Sequence, residues 1–210
     1  MTVPDLRELH ARVVRASVSV VARVSTGDLA RATPCGDWQL SDLLAHMTVQ
    51  HDGFAAAAAG NGGDISLWAV QPFGPASISE YAAAADRVLT AFAEDGVLGR
   101  EFALPEISPV TTFPGSQAIR FHLVDYVVHG WDVARAIDVP FSLDPDLLDT
   151  GLKIAQSVPD GPERLRPGAA FAPGVATAEG APILDRIVAL LGRDPTWTRV
   201  HSGRSSRPPL

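Results

Sequence analysis

Cysteine is almost missing from this chain: Cys35 is the only one in 210 residues. No disulfide can close within it, and a reducing compartment suits such a sequence. Positive charge is also scarce. Seventeen Lys and Arg face 24 Asp and Glu, giving a net charge of -7, with no basic cluster ahead of the arginines near the C-terminus. Binding to a phosphate backbone needs a positive surface, so nucleic acid is excluded as an expected partner. No apolar run is long enough to span a bilayer, so no membrane partner is expected. Met1-Thr2-Val3-Pro4-Asp5 leads into a mixed polar and apolar helix, not a signal-peptide core, and the expected location is the cytoplasm. The glycines around Gly60 lack the strand, Lys and Ser or Thr that accompany a phosphate loop. There is no internal repeat. What remains, 46% hydrophobic and 20% charged residues, is an ordinary globular balance.

Hydrophobic periodicity divides the chain into helices. Leu6, Leu9, Val13, Val14, Val20 and Val21 recur near a 3.6-residue period and predict a first helix from Asp5 to about Val24. Ala32-Thr33-Pro34-Cys35-Gly36-Asp37-Trp38 reads as a turn-rich connector, with Trp38 as its core anchor. Ser41 is the expected cap of a second helix that carries Leu43, Leu44, Met47 and Phe54 and ends at Gly60. A loop over Leu67 to Pro75 precedes a third helix, from Ser77 or Ser79 to about Glu94. Glu101 to Leu104 reads as a short extended piece. Pro105, Pro109 and Pro114 mark a rigid loop. The fourth helix spans about Ser116 to Ile137. Asp144-Pro145 opens a fifth, since Pro suits the first helical position. A last helix covers Pro182 to Leu191, a short strand is expected over Thr196 to Val200, and residues 203–210 form a flexible tail.

The chemistry concentrates in His122-Leu123-Val124-Asp125-Tyr126-Val127-Val128-His129-Gly130-Trp131-Asp132. Asp125 and His129, four apart, share a helix face, and His122 belongs to the same stripe. An imidazole and a carboxylate on a mostly apolar helix need a partner. A divalent metal is one, and it requires a further ligand from elsewhere; His46 on the second helix is the candidate donor. His122 is open between a fourth ligand, a partner of a ligand, and a surface residue near the helix start. Asp132 can accept a proton from a ligand imidazole or pair with Arg135. Asp132 and His122 are the candidates for moving a proton in catalysis. His51, five residues after His46, is expected to meet solvent or a loop. Cys35 has no base beside it in sequence and reads as structural.

Thr33-Pro34-Cys35-Gly36-Asp37-Trp38, the helix bearing His46, and Val128-His129-Gly130-Trp131-Asp132-Val133-Ala134-Arg135-Ala136 resemble short actinobacterial metal-binding proteins of the mycothiol-dependent maleylpyruvate isomerase N-terminal domain family, within the DinB-like superfamily. Phe171-Ala172-Pro173-Gly174, Ala181 to Arg186 and Leu190 to Pro195 are similar to the same short subgroup. The resemblance implies an all-α fold: a DinB-like up-down-up-down four-helix bundle with additional C-terminal helices and a short strand. The implied organisation is a metal-binding bundle over 1–142, a C-terminal helical extension packed on it over 143–202, and the tail. It implies a divalent metal at one end of the bundle, zinc first, with nickel or another divalent ion as alternatives. The implied ligands are His46, Asp125 and His129, where the isomerases use Glu in the place of Asp125. Mycothiol is the implied cofactor, although little sequence remains here for the further thiol-binding domain of the isomerases.

Two functions compete. One is a metal-dependent thiol transferase or isomerase acting on a small electrophile, with three protein ligands leaving a fourth position open. The other is a non-enzymatic metal-binding or small-ligand-sensing protein with a structural metal. Either suits a monomer or a homodimer.

Overall fold

The computed structural model describes residues 5–166 and 168–199. Four helices make the bundle: α1 (Leu6–Val21), α2 (Leu40–Ala58), α3 (Ser77–Ala93) and α4 (Gly115–Ala136). Between α3 and α4, β1 (Glu101–Ala103) and β2 (Thr112–Pro114) pair antiparallel, with Phe102 opposite Phe113. Two helices follow, α5 (Pro145–Ser157) and α6 (Ile183–Leu190). No described helix is long and apolar enough to cross a membrane.

Local chemistry explains the boundaries. The Asp5 carboxylate accepts the Arg7 backbone N–H at 2.9 Å and caps α1. The second helix starts two residues earlier than a Ser41 cap would allow. Gln39 stands at the cap position, and its backbone N–H donates to Asp42 Oδ2 at 3.0 Å, satisfying a donor the helix cannot. Pro145 occupies the first turn of α5, where its missing N–H costs nothing. β2 lies inside the segment expected to be loop. Its last residue, Pro114, sits at the end of a two-stranded ribbon, where a missing donor is tolerated. Thr196 to Arg199 form no strand. Asp194 Oδ1 instead accepts the Thr196 N–H at 2.8 Å and its hydroxyl at 2.7 Å, which curls the chain into a turn. Val200 and the expected tail over 203–210 lie outside the described residues.

In the bundle, α1 packs on α3 and α4, and α2 packs on the same two helices. One apolar cluster runs from Val13, Val14, Leu43, Leu44 and Val127 into Leu147, Ile154, Ile187 and Leu191, so α5 and α6 share the bundle's core. A second, around Phe54, Trp68, Phe92 and Phe102, fills the opposite end under the β-ribbon.

Three histidines lie on the inner side of the bundle: His10 on α1, His51 on α2 and His122 on α4, all at most 1% exposed. His10 Nε2 meets His122 Nδ1 at 2.9 Å. The Tyr126 ring stacks on His122 and on His51, with centroids 4.2 Å apart in both cases. Burial holds all three neutral, taking His10 down to about 3 and the other two well below the usual histidine range. His51 is therefore not the solvent-facing residue its spacing from His46 suggests. In a helix touching two neighbours, a face rotated away from one contact meets the next.

Candidate metal centre

The connector before α2 is closed by its own polar groups. Thr33 Oγ1 accepts the Cys35 N–H at 3.1 Å and donates to the Trp38 carbonyl at 3.0 Å. Gly36, at φ 59°, supplies the left-handed residue this tight turn needs. The turn brings Cys35 and Trp38 against α2 and α4. Trp38 is not the buried anchor its size suggests. It is 37% exposed, with its indole 5.0 Å from the His46 ring and nearly parallel to His129 at 6.5 Å.

Beneath Trp38, the structure brings His46, Asp125 and His129 together. One potential ligand atom from each lies within 4.8 Å of the other two. His129 is bound at both edges: its Nε2 is 3.3 Å from Asp125 Oδ1, and its Nδ1 is 3.0 Å from Asp132 Oδ2. The His46 side chain has no hydrogen bond among the described residues, and its ring lies beside those of Trp38 and His129. Asp125 keeps 23% of its side chain exposed, so the group opens toward solvent on that side.

The protonation states follow from this packing. Burial takes His46 down to about 4, helped by the neighbouring His129. Burial also opposes charge on His129, but Asp125 and Asp132 outweigh it and raise the imidazole to about 9. Asp125 is held below the usual carboxylate range: burial works against its charge, and His129 overcomes it. At neutral pH His129 is thus an imidazolium beside the Asp125 carboxylate and a neutral His46. A single proton does the work of a cation there.

Two neutral imidazoles and a carboxylate form a donor set that suits zinc and similar borderline ions. The half-buried His46 ring, which makes no hydrogen bond among the described residues, is the observation that fits such an ion, since its nitrogens are committed to no protein partner. The surrounding bonds also fit. Asp132 accepts from the remote nitrogen of His129, the arrangement that orients a ligand imidazole.

His122 is not part of this group; it lies in the three-histidine cluster of the core. Asp132 pairs with His129 and with Arg193, whose Nη2 lies 3.1 Å from Asp132 Oδ2. Arg135, the other partner considered for Asp132, turns outward over the Trp131 ring at 5.1 Å and donates to the Pro195 carbonyl. Arg193 was invisible as a site residue. It follows Asp132 by 61 positions and no spacing rule joins them. It arrives because Gly192, at φ 81°, ends α6 in a left-handed turn, and a Cβ there would sit 2.5 Å from the Ala172 carbonyl. Cys35 Sγ accepts from Arg193 Nη2 at 3.0 Å, and burial pushes its thiol up to about 12, so it is no nucleophile.

A search of protein families matches residues 10–134 to the mycothiol maleylpyruvate isomerase N-terminal domain. Two uncharacterized proteins of Mycobacterium tuberculosis, from the Oshkosh and H37Rv strains, are 29% identical over 189 residues, covering 88% of this chain and 95% of theirs. Among solved structures, the mycothiol-dependent maleylpyruvate isomerase superposes with a TM-score of 0.51 at 12% identity, over 74% of this chain and 68% of that one. A mutant of the same enzyme gives 0.55 at 13% identity over the same shares. At such identity the likeness establishes the shared helical fold.

Proposed function

This chain belongs to the mycothiol maleylpyruvate isomerase N-terminal domain family, and from that premise we propose that it is a divalent-metal protein that takes a small thiol, with mycothiol the first candidate, for transfer to or isomerisation of a small electrophile. The ion, zinc in the first instance, is held by His46, Asp125 and His129. The carrying observation is the convergence of those three donors from two helices within 4.8 Å, with the His46 nitrogen unspent.

When bound, a divalent ion supplies Lewis acidity that lowers the pKa of a coordinated thiol and stabilises its thiolate. The chain's own residues do the rest. Asp132 fixes the tautomer of His129 by accepting its Nδ1 proton, which leaves Nε2 directed toward Asp125. Three protein ligands are one fewer than a closed structural zinc site uses. Trp38 forms a flat apolar wall beside His46 and His129, limiting water there and offering a ring face to a ligand. Asp125, on the open side, is the carboxylate nearest solvent.

Metal affinity is expected to rise with pH. His46 is already neutral above about 4, and Asp125 is already a carboxylate. His129 holds one proton up to about 9, and the ion must displace it. Affinity therefore gains roughly tenfold per pH unit through the neutral range and levels off above the His129 pKa. Competition against a metal-sensitive dye across pH measures the slope; a flat profile would mean the ion does not displace this proton.

Thiol access has its own test. The cobalt-substituted protein shows no thiolate-to-metal charge-transfer band alone and gains one on addition of mycothiol or a simple thiol. A spectrum unchanged at saturating thiol, in protein holding one cobalt, removes the transferase reading.

A further inference from the structure

A second donor group shares His129 with the first. Cys35, His129 and Asp132 also place one potential ligand atom each within 4.8 Å of the others. Thiolate, imidazole and carboxylate would together be a better zinc set than the first, because sulfur binds this ion strongly. The group already contains a cation. Arg193, 4% exposed, directs Nε at both Asp132 oxygens at 3.3 Å, and Nη2 at Asp132 Oδ2 at 3.1 Å and Cys35 Sγ at 3.0 Å. A guanidinium fork thus spans two of the three donors, and Asp132 takes the proton of the third.

We propose that Arg193 is a positioning residue that closes the Cys35–Asp132–His129 group to metal, directing the ion to the Nε2 side of His129 and keeping the protein's own thiol from competing with an incoming one. Arg193 lies beyond residue 134, where the match to the family domain ends, so a side chain from after that domain reaches the centre. The chemistry requires an arginine. A lysine ammonium is a point charge and cannot bridge carboxylate and sulfur along one planar edge. Removing the guanidinium leaves Asp132 buried with one positive partner fewer, a vacancy that a divalent ion fills. The ion takes Cys35 as thiolate, and the thiol proton passes to solvent.

The inference builds on the reading of the His46 site for what Arg193 protects, but its test runs without that site. The probe is cobalt, added to five proteins without any external thiol. The native chain shows no thiolate-to-cobalt band. Arg193→Gln shows one, and the double variant Arg193→Gln with Cys35→Ser loses it. His46→Ala binds cobalt weakly. His46→Ala with Arg193→Gln binds it at least about tenfold more tightly than His46→Ala alone, the scale on which outer partners alter affinity, and carries the band. Arg193→Lys, which keeps a charge beside Asp132, is the second variant should Arg193→Gln not fold; it shows the same band at higher cobalt. A band in the native chain, or folded Arg193 variants that bind cobalt with no band and unchanged affinity, overturns the proposal. If the native chain fails to bind cobalt while Arg193→Gln binds with the band, the proposal stands and the reading of the His46 site falls.

Discussion

His129→Ala is expected to lose stoichiometric metal altogether, with affinity reduced by more than about 100-fold, beyond the range seen for partners outside the ligand set. His129 is the hub of the centre. Its Nε2 faces Asp125, its ring lies 5.2 Å from that of His46, and its Nδ1 is committed to Asp132. Alanine removes the ligand and leaves His46 and Asp125 as an isolated pair. Metal analysis after dialysis against a weak chelator, with circular dichroism to establish folding, gives the answer. Full metal content in a folded His129→Ala variant would place the ion elsewhere. The other two ligands should differ in degree. His46 has no competing bond, so His46→Ala removes metal with little cost to the fold.

Asp132→Ala is expected to cause the largest loss of stability of any single change in the centre. Asp132 is fully buried and Arg193 is 4% exposed, so the pair is shielded from water on both sides. Deleting the carboxylate strands a guanidinium in the interior and deprives His129 Nδ1 of its acceptor. Breaking a buried pair from one side costs about 3–5 kcal/mol, because the remaining charge is left uncompensated. Urea unfolding of the metal-free protein measures it directly. A loss under about 1 kcal/mol, the scale of an exposed pair, would show that water reaches Arg193. Asp132→Asn keeps an acceptor for His129 and is the milder variant.

The helices were legible because their apolar periods are long, and the α4 stripe was legible because positions four apart on one helix meet. Asp125 and His129 needed no tertiary information to be paired. His46 needed only the family resemblance and a second amphipathic helix. The errors share a cause: they concern residues whose surroundings are set by distant parts of the chain. His51 is buried because α3 and α4 supply Tyr81, His122 and Tyr126 around it. Trp38 is more than one-third exposed because His46 of α2 and His129 of α4, not the apolar core, lie under its ring. Arg193 reaches the centre through a helix end and a glycine turn, so no local pattern could assign it. His122 shares the α4 stripe with Asp125 and His129, yet belongs to the core cluster. About 10 Å of helix rise separates it from His129, by the standard rise per residue. The β-ribbon was half legible: Phe102 lies in the expected extended piece, while its partner strand was hidden among prolines.

Zinc X-ray absorption on protein loaded with one equivalent of metal, before and after saturation with a small thiol, tests the central claim most directly. The account predicts two imidazole nitrogens and carboxylate oxygen near about 2.0–2.1 Å before thiol, with no sulfur. It predicts one sulfur at about 2.3 Å afterwards. A sulfur neighbour before any thiol is added, or none after saturation, would contradict it.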